Sequence, residues 1–102
     1  MSDRTQKLVA LRARTDHDLL ILVHRELDRG MALVAVAATR TSPHFAQAEK
    51  AFATGRALFL RISGLTSDDR VRIEARLKDL RTRLDQVPAF AKVRAYPASF
   101  AS

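Results

Sequence analysis

Three phenylalanines spaced seven residues apart constrain this chain more than any other feature of its sequence. They belong to a longer series in which apolar or small residues recur at steps of three and four: Phe45, Ala48, Phe52, Gly55, Phe59 and Ile62. Such steps place all six residues on one face of an α-helix, whereas a strand would alternate every two residues. The stretch 43–63 is therefore predicted to be a helix. It is also the predicted centre of the core, since it holds three of the chain's five phenylalanines and the chain has no tryptophan.

Two further series with the same spacing flank the phenylalanine helix. The first is Leu20, Val23, Leu27, Gly30, Val34 and Ala37. The second is Ile73, Leu77, Leu80, Leu84 and Val87. Only three glycines and three prolines occur among 102 residues, which favours long helices. The sequence predicts an all-α protein with a single helical domain over residues 1–87, because a chain of this length is typical of one domain.

Capping residues predict where the second and third helices begin and end. Ser42 suits an N-cap and Pro43 suits the first helical position, where its missing N–H costs nothing. Gly64 is predicted to end the phenylalanine helix in the left-handed conformation. Thr66 and Asp69 have the spacing of a capping box, which begins the last helix.

The N-terminal helix leaves more than one interpretation open. Thr15 and Asp18 also have capping-box spacing, which favours a break near residue 15, and Gly30 could end a helix near residue 30. The apolar series nevertheless stays in phase through Gly30, which favours one continuous helix. The predicted segments are helices at about 4–40, 43–63 and 67–87, followed by an extended or frayed tail at 88–102.

These elements predict an antiparallel hairpin of the second and third helices, on which the long first helix packs. The run 31–38 is apolar on all sides, so a three-helix monomer would leave part of it exposed. We therefore expect a homodimer or a larger helical bundle. The predicted oligomer or partner interface consists of Met31, Leu33, Val34 and Val36.

The basic charge of the chain suggests a second kind of partner. The net charge is +7, and the bases that lie outside the balanced helical segments are the predicted contacts in a nucleic-acid-binding alternative: Arg40, Lys50, Arg56 and Arg61. No run of adjacent bases occurs, and acids alternate with arginines elsewhere. Nucleic acid is therefore a partner that the sequence allows but does not favour.

No arrangement of residues in the sequence indicates chemistry. The chain has no cysteine, its three glycines are isolated, and no serine, histidine and carboxylate have the spacing of a nucleophile with its base. His17 and His24 are about two helical turns apart, too far for one metal ion. We predict no catalytic residue, metal site or cofactor. His24 carries one remote alternative, a phosphoacceptor on a helical hairpin.

The sequence thus predicts a small, non-enzymatic interaction or regulatory protein that works through helix–helix association. The longest apolar runs, 19–23 and 31–38, fall well short of the ~20 residues that span a bilayer. The charged N-terminal residues do not have the pattern of a signal peptide. The expected location is the cytoplasm, with no membrane contact.

Overall fold

The computed structural model of the chain describes residues 3–90, and these form three α-helices without any strand. The helices are α1 (Asp3–Val36), α2 (Pro43–Arg61) and α3 (Ser67–Gln86). The all-α prediction is confirmed, as is the hairpin of two shorter helices beside a long N-terminal one. Within residues 3–90, no helix is long and apolar enough to cross a membrane. Most of the predicted tail, with Tyr96 and Phe100, lies outside the described residues.

Helix α1 is continuous through both positions where a break was considered. Thr15 does not cap a helix; its hydroxyl donates to the carbonyl of Leu11 at 2.9 Å, the bond that threonine makes in the middle of a helix. Gly30 lies inside α1 and is buried. The capping-box interpretation at Thr15 was therefore wrong, and the preference for an unbroken helix through Gly30 was right.

Helix α1 ends at Val36, four residues earlier than predicted. The reason is a tertiary contact at Arg40, whose backbone N–H donates to the carbonyl of Pro88 at 2.9 Å. Its guanidinium donates to the carbonyls of Val87 and Asp85, also at 2.9 Å. These bonds draw the segment after Val36 to the C-terminal end of α3, although the apolar spacing would allow another helical turn.

The start of α2 matches the prediction, and its end does not. The hydroxyl of Ser42 accepts from the N–H of His44 at 3.1 Å, and Pro43 is the first helical residue. The helix stops at Arg61, and Ile62 is extended with φ −77° and ψ 123°. No glycine in the described part of the chain has a positive φ, so the predicted left-handed cap at Gly64 was wrong.

Helix α3 begins and ends close to the predicted residues. The hydroxyl of Thr66 accepts from the N–H of Asp69 at 3.1 Å, as the capping box requires. Its last helical residue is Gln86, and Val87 caps it with a bond from its N–H to the carbonyl of Leu84. Both caps that the sequence predicted from a hydroxyl and a nearby amide, at Ser42 and Thr66, are present.

The helices run antiparallel in chain order, and α1 packs most closely on α2. A Cβ placed on Gly30 would lie 3.4 Å from the Cβ of Ala51, and one placed on Gly55 would lie 3.5 Å from Leu27 Cδ2. The pairing of an earlier residue of α1 with a later residue of α2 shows the antiparallel direction. Each glycine thus lies where the other helix of the pair approaches its backbone, Gly30 at Ala51 and Gly55 at Leu27.

The core lies between the three predicted stripes, with one correction at its centre. It contains the following buried residues: Leu19, Val23, Leu27, Val34, Phe45, Ala48, Phe59, Ile62, Ile73, Leu77, Leu80, Leu84 and Val87. Phe45 and Phe59 are only 7% exposed, but Phe52 is partly buried, with the guanidinium carbon of Arg81 5.4 Å from its ring centroid. The space at the centre of the stripe is filled by Ala51, which is fully buried.

Candidate functional site

The first four turns of α1 extend beyond the rest of the bundle. Every residue from 3 to 15 is exposed, and burial begins only at Asp16 and Leu19. We call residues 3–15 the α1 extension. It is about 20 Å long, given the 1.5 Å rise per residue of an α-helix. An isolated helix of this length is marginally stable in water, so the extension is a segment that gains from a partner.

The α1 extension carries apolar side chains with little to cover them. Leu8, Val9 and Leu11 are 61%, 60% and 59% exposed. Farther along the same helix, Leu22 is 40% exposed. Leu8, Leu11, Thr15 and Leu22 recur at steps of three, four and seven, so they form a second stripe along α1, about a quarter turn from the core stripe. Leu8, Leu11 and Leu22 were not among the interface residues predicted from the sequence, because that prediction came from the apolar run 31–38 and not from the spacing along the whole of α1.

Asp16 determines where the α1 extension leaves the bundle. Its Oδ1 accepts from the N–H of Ser63 at 3.2 Å, and its Oδ2 accepts from the N–H of Gly64 at 2.9 Å and from the Ser63 hydroxyl at 3.1 Å. These bonds join α1 to the turn between α2 and α3. The Ser63 N–H, above all, lowers the pKa of Asp16 from its ordinary value of 3.8; partial desolvation opposes this shift, and the Gly64 N–H adds to it.

An open groove of roughly 480 Å³ lies where the α1 extension meets that turn. Its lining includes Val9, Arg12, Asp16, Leu20, Ile62 and Leu65. The walls are mainly apolar, and the charged groups are Arg12 and Asp16 on α1 and Asp69 on α3. The groove is therefore suited to an amphipathic segment of chain rather than to a small polar substrate.

Charges are segregated along α1. The α1 extension has four bases and one acid: Arg4, Lys7, Arg12, Arg14 and Asp3. The next segment, 16–28, has four acids and one base: Asp16, Asp18, Glu26, Asp28 and Arg25. The two segments nearly cancel in net charge, so the division is not visible in the overall charge of α1.

Arg76 of α3 joins two groups of α1. Its guanidinium donates to His24 Nδ1 at 2.8 Å and to the carboxylate of Asp28. An arginine only donates, so Nδ1 of His24 is an acceptor and the ring hydrogen is on Nε2. This cluster ties α1 to α3. Among residues 3–90, no group of three or more histidine, aspartate or glutamate side chains could hold a metal ion.

The structure separates the four residues of the predicted partner interface. Val34 is 7% exposed and belongs to the core, whereas Val36 is 61% exposed. Met31 and Leu33 are partly buried against the core. Leu33 and Val36 continue the second stripe of α1 beyond Leu22, so two of the four lie on the same face as Leu8 and Leu11.

The four bases of the nucleic-acid alternative do not form one surface. Arg40 uses its guanidinium on the end of α3, as described above. Lys50 and Arg61 are exposed and eleven residues apart, which puts them within about 20° of each other around α2. Arg56 is also exposed but lies about 120° from Lys50 around the same helix.

Comparisons with known proteins do not assign the chain to a family. No family model, no curated protein and no solved structure matches it. The functional argument therefore rests on the fold and on the exposed faces of α1.

Proposed function

We propose that this chain is a small, non-enzymatic interaction or regulatory protein that acts through helix–helix association. The observation that carries the proposal is the exposure of about 60% at each of Leu8, Val9 and Leu11, on a helix that extends beyond its own bundle. Burying apolar surface contributes about 25 cal/mol per Å². A partner helix along the face of Leu8 and Leu11 would therefore stabilise both the contact and the extension itself.

Homo-oligomerisation is the form of association that we propose, in a cytoplasmic protein. Leu22 and Val36 of α1 are also exposed, at 40% and 61%, so apolar side chains available to a partner occur beyond the extension as well. Leu33 and Val36 both belonged to the interface predicted from the sequence. The cytoplasmic location rests on the sequence argument and is part of the proposal.

Light scattering after size exclusion tests this proposal on the full chain at micromolar concentration. We expect a mass of at least twice the 11.4 kDa of one chain. The matched variant replaces Leu8 and Leu11 with serine and is expected to shift the mass towards that of one chain. A wild-type protein that remains monomeric throughout the micromolar range would contradict homo-oligomerisation.

The nucleic-acid alternative has less support from the arrangement of its residues. Lys50 and Arg61 share one side of α2, but Arg56 points elsewhere and Arg40 is engaged within the protomer. Binding by such a surface would weaken by decades between ~50 and ~200 mM salt if six or more phosphates were contacted. An electrophoretic shift at low salt, lost in a Lys50→Ala, Arg61→Ala variant, would favour this alternative.

The geometry around His24 gives no support to a phosphoacceptor. Phosphoryl transfer to a ring nitrogen needs a free lone pair on that nitrogen. The lone pair of Nδ1 is directed at Arg76, and Nε2 carries the hydrogen. Incubation with a phosphodonor, comparing the wild type with His24→Ala, tests the alternative directly, and we expect no difference.

A further inference from the structure

We propose that two copies of this chain pair through α1 in antiparallel orientation, so that the α1 extension of each copy lies on residues 16–28 of the other. This inference rests on the proposed homo-association and specifies its geometry. It names one occupant for the uncovered face, a second copy of the same chain. The arguments come from charge, from the position of the second stripe and from one carboxylate.

Charge segregation determines the direction of the pair. The α1 extension has four bases and a single acid, and residues 16–28 have four acids and a single base. A parallel pair would set the bases of one copy against the bases of the other. An antiparallel pair sets each basic extension against the acidic segment of its partner. Because of two-fold symmetry, this favourable contact occurs twice in the dimer.

The second stripe determines the register of the pair. Leu8 and Leu22 lie seven residues on either side of Thr15, and both are substantially exposed. A two-fold axis near Thr15 brings Leu8 of one copy to Leu22 of the other, with Leu11 packed between these layers. The small Thr15 side chain on the axis lets the two helices approach each other closely.

Glu26 supplies an independent argument for the same register. Its Oε2 is buried and accepts no hydrogen bond from any residue that the structure describes. The ion pair with Arg29 is long, at 3.8 Å, which is beyond hydrogen-bond distance. Arg4 and Glu26 are eleven residues on either side of Thr15, so the same axis brings a basic side chain to the part of the Glu26 side chain that is still exposed, 24%. Rotation of the carboxylate would turn Oε2 from its buried position towards that base.

Three of the four acids already have a partner inside the protomer, which limits the acids that can bind a second copy. Asp16 binds the turn at Ser63 and Gly64, Asp28 pairs with Arg76, and Glu26 has only the long contact with Arg29 at 3.8 Å. Asp18 and the weakly paired Glu26 are the acids that we place against the partner's bases. The other end of α1 is a poorer match for a basic extension, because it carries Arg29 and no acid follows Asp28 in the helix.

Disulfide trapping tests the geometry without interference, because the chain has no native cysteine. The variants are Leu8→Cys and Leu22→Cys, each oxidised alone and as an equimolar mixture. We expect the mixture to form a disulfide-linked heterodimer at least several-fold faster than either variant alone, since a disulfide needs Cα atoms within about 7 Å. Val71→Cys, on an exposed site of α3, is the control for random collision.

Other outcomes overturn the inference in distinguishable ways. Fast cross-linking of Leu8→Cys alone and of Leu22→Cys alone indicates a parallel pair. If the protein is dimeric by light scattering but all variants cross-link only at the Val71→Cys rate, the antiparallel geometry is wrong while homo-association stands. A monomeric wild type would overturn both proposals together.

A charge exchange gives a second measurement in solution. Arg4→Glu alone should raise the dissociation constant of the dimer by roughly tenfold, since the substitution removes two symmetry-related contacts at once. The double variant Arg4→Glu, Glu26→Arg should recover most of that loss, because it restores the pairing with the signs reversed. Equal weakening by the single and double variants would contradict the contact between Arg4 and Glu26, and circular dichroism confirms that each variant is folded.

Discussion

Gly30 of α1 and Leu80 of α3 are in direct contact. A Cβ placed on Gly30 would lie 2.7 Å from Leu80 Cδ2, and Leu80 is fully buried. The glycine thus lets α3 approach α1 at the level where α2 also approaches through Ala51. Of the two helical glycines, Gly30 is therefore the one at which an added methyl group is less well tolerated.

Substituting the two helical glycines with alanine should have opposite effects. Gly30→Ala gains about 1 kcal/mol of helix propensity but crowds Leu80, and overpacking costs about 1–3 kcal/mol. Gly55→Ala meets its nearest atom at 3.5 Å, an ordinary contact, and gains the propensity alone. Urea denaturation should therefore show Gly55→Ala as more stable and Gly30→Ala as less stable than wild type. Stabilisation by both would show that Leu80 moves aside freely.

Asp16 should make the free energy of unfolding depend on pH in the acidic range. Its pKa is lowered in the folded protein, so its stabilising contribution is present above the unfolded value and is lost as pH falls through the folded pKa. Asp16→Asn should lower the melting temperature at pH 7. The difference from wild type should shrink as pH decreases from above the ordinary value of 3.8 through the lowered folded pKa, because the wild-type carboxyl then also becomes neutral. A difference that stays constant over this range would contradict the electrostatic origin.

Phe59 and Phe52 should differ in their contribution to stability, although both lie on the phenylalanine stripe. Phe59→Ala removes a ring that is only 7% exposed and should cost ~3–5 kcal/mol. Phe52 is partly exposed, so Phe52→Ala should cost less, about 1–2 kcal/mol. Chemical denaturation of both variants measures the difference, and equal losses would place Phe52 in the core after all.

Arg40 and Arg61 should differ in their contribution to the stability of the fold, although both belong to the predicted basic set. Arg40→Ala removes hydrogen bonds to Val87 and Asp85 and should destabilise the protein by about 1 kcal/mol. Arg61→Ala removes an exposed side chain and should change stability by less than about 0.5 kcal/mol. Thermal denaturation at one protein concentration compares the two, and similar values would indicate that the Arg40 contacts contribute little.

The melting temperature should rise with protein concentration if the chain associates through α1. Dimerisation stabilises the folded state by mass action, so a hundredfold increase in concentration should raise the transition by several degrees. Leu8→Ser with Leu11→Ser should abolish this dependence and leave the melting temperature at the lowest concentration unchanged, because neither side chain touches the core. A dependence that persists in this variant would place the interface elsewhere.

The spacing of apolar residues and the capping residues were sufficient to predict the three helices and the residues at which α2 and α3 begin. The steps of three and four placed Val23, Leu27, Ile73 and Leu80 in the core, since the periodicity of a helix is a property of its own backbone. Ser42 and Thr66 were recognisable as caps because each hydroxyl binds an amide two or three residues away. Such short-range bonds depend on neighbouring residues and little else.

The ends of α1 and α2, and the length of the α1 extension, were decided by contacts between residues far apart in the chain. Arg40 binds carbonyls at the end of α3, and Asp16 binds the amides of Ser63 and Gly64. The sequence alone did not reveal these partners, because nothing local pairs positions 47 or 48 residues apart. Where α1 leaves the bundle follows from the same contacts: α2 and α3 cover only the part of α1 that their shorter lengths reach, and the remaining turns stay exposed.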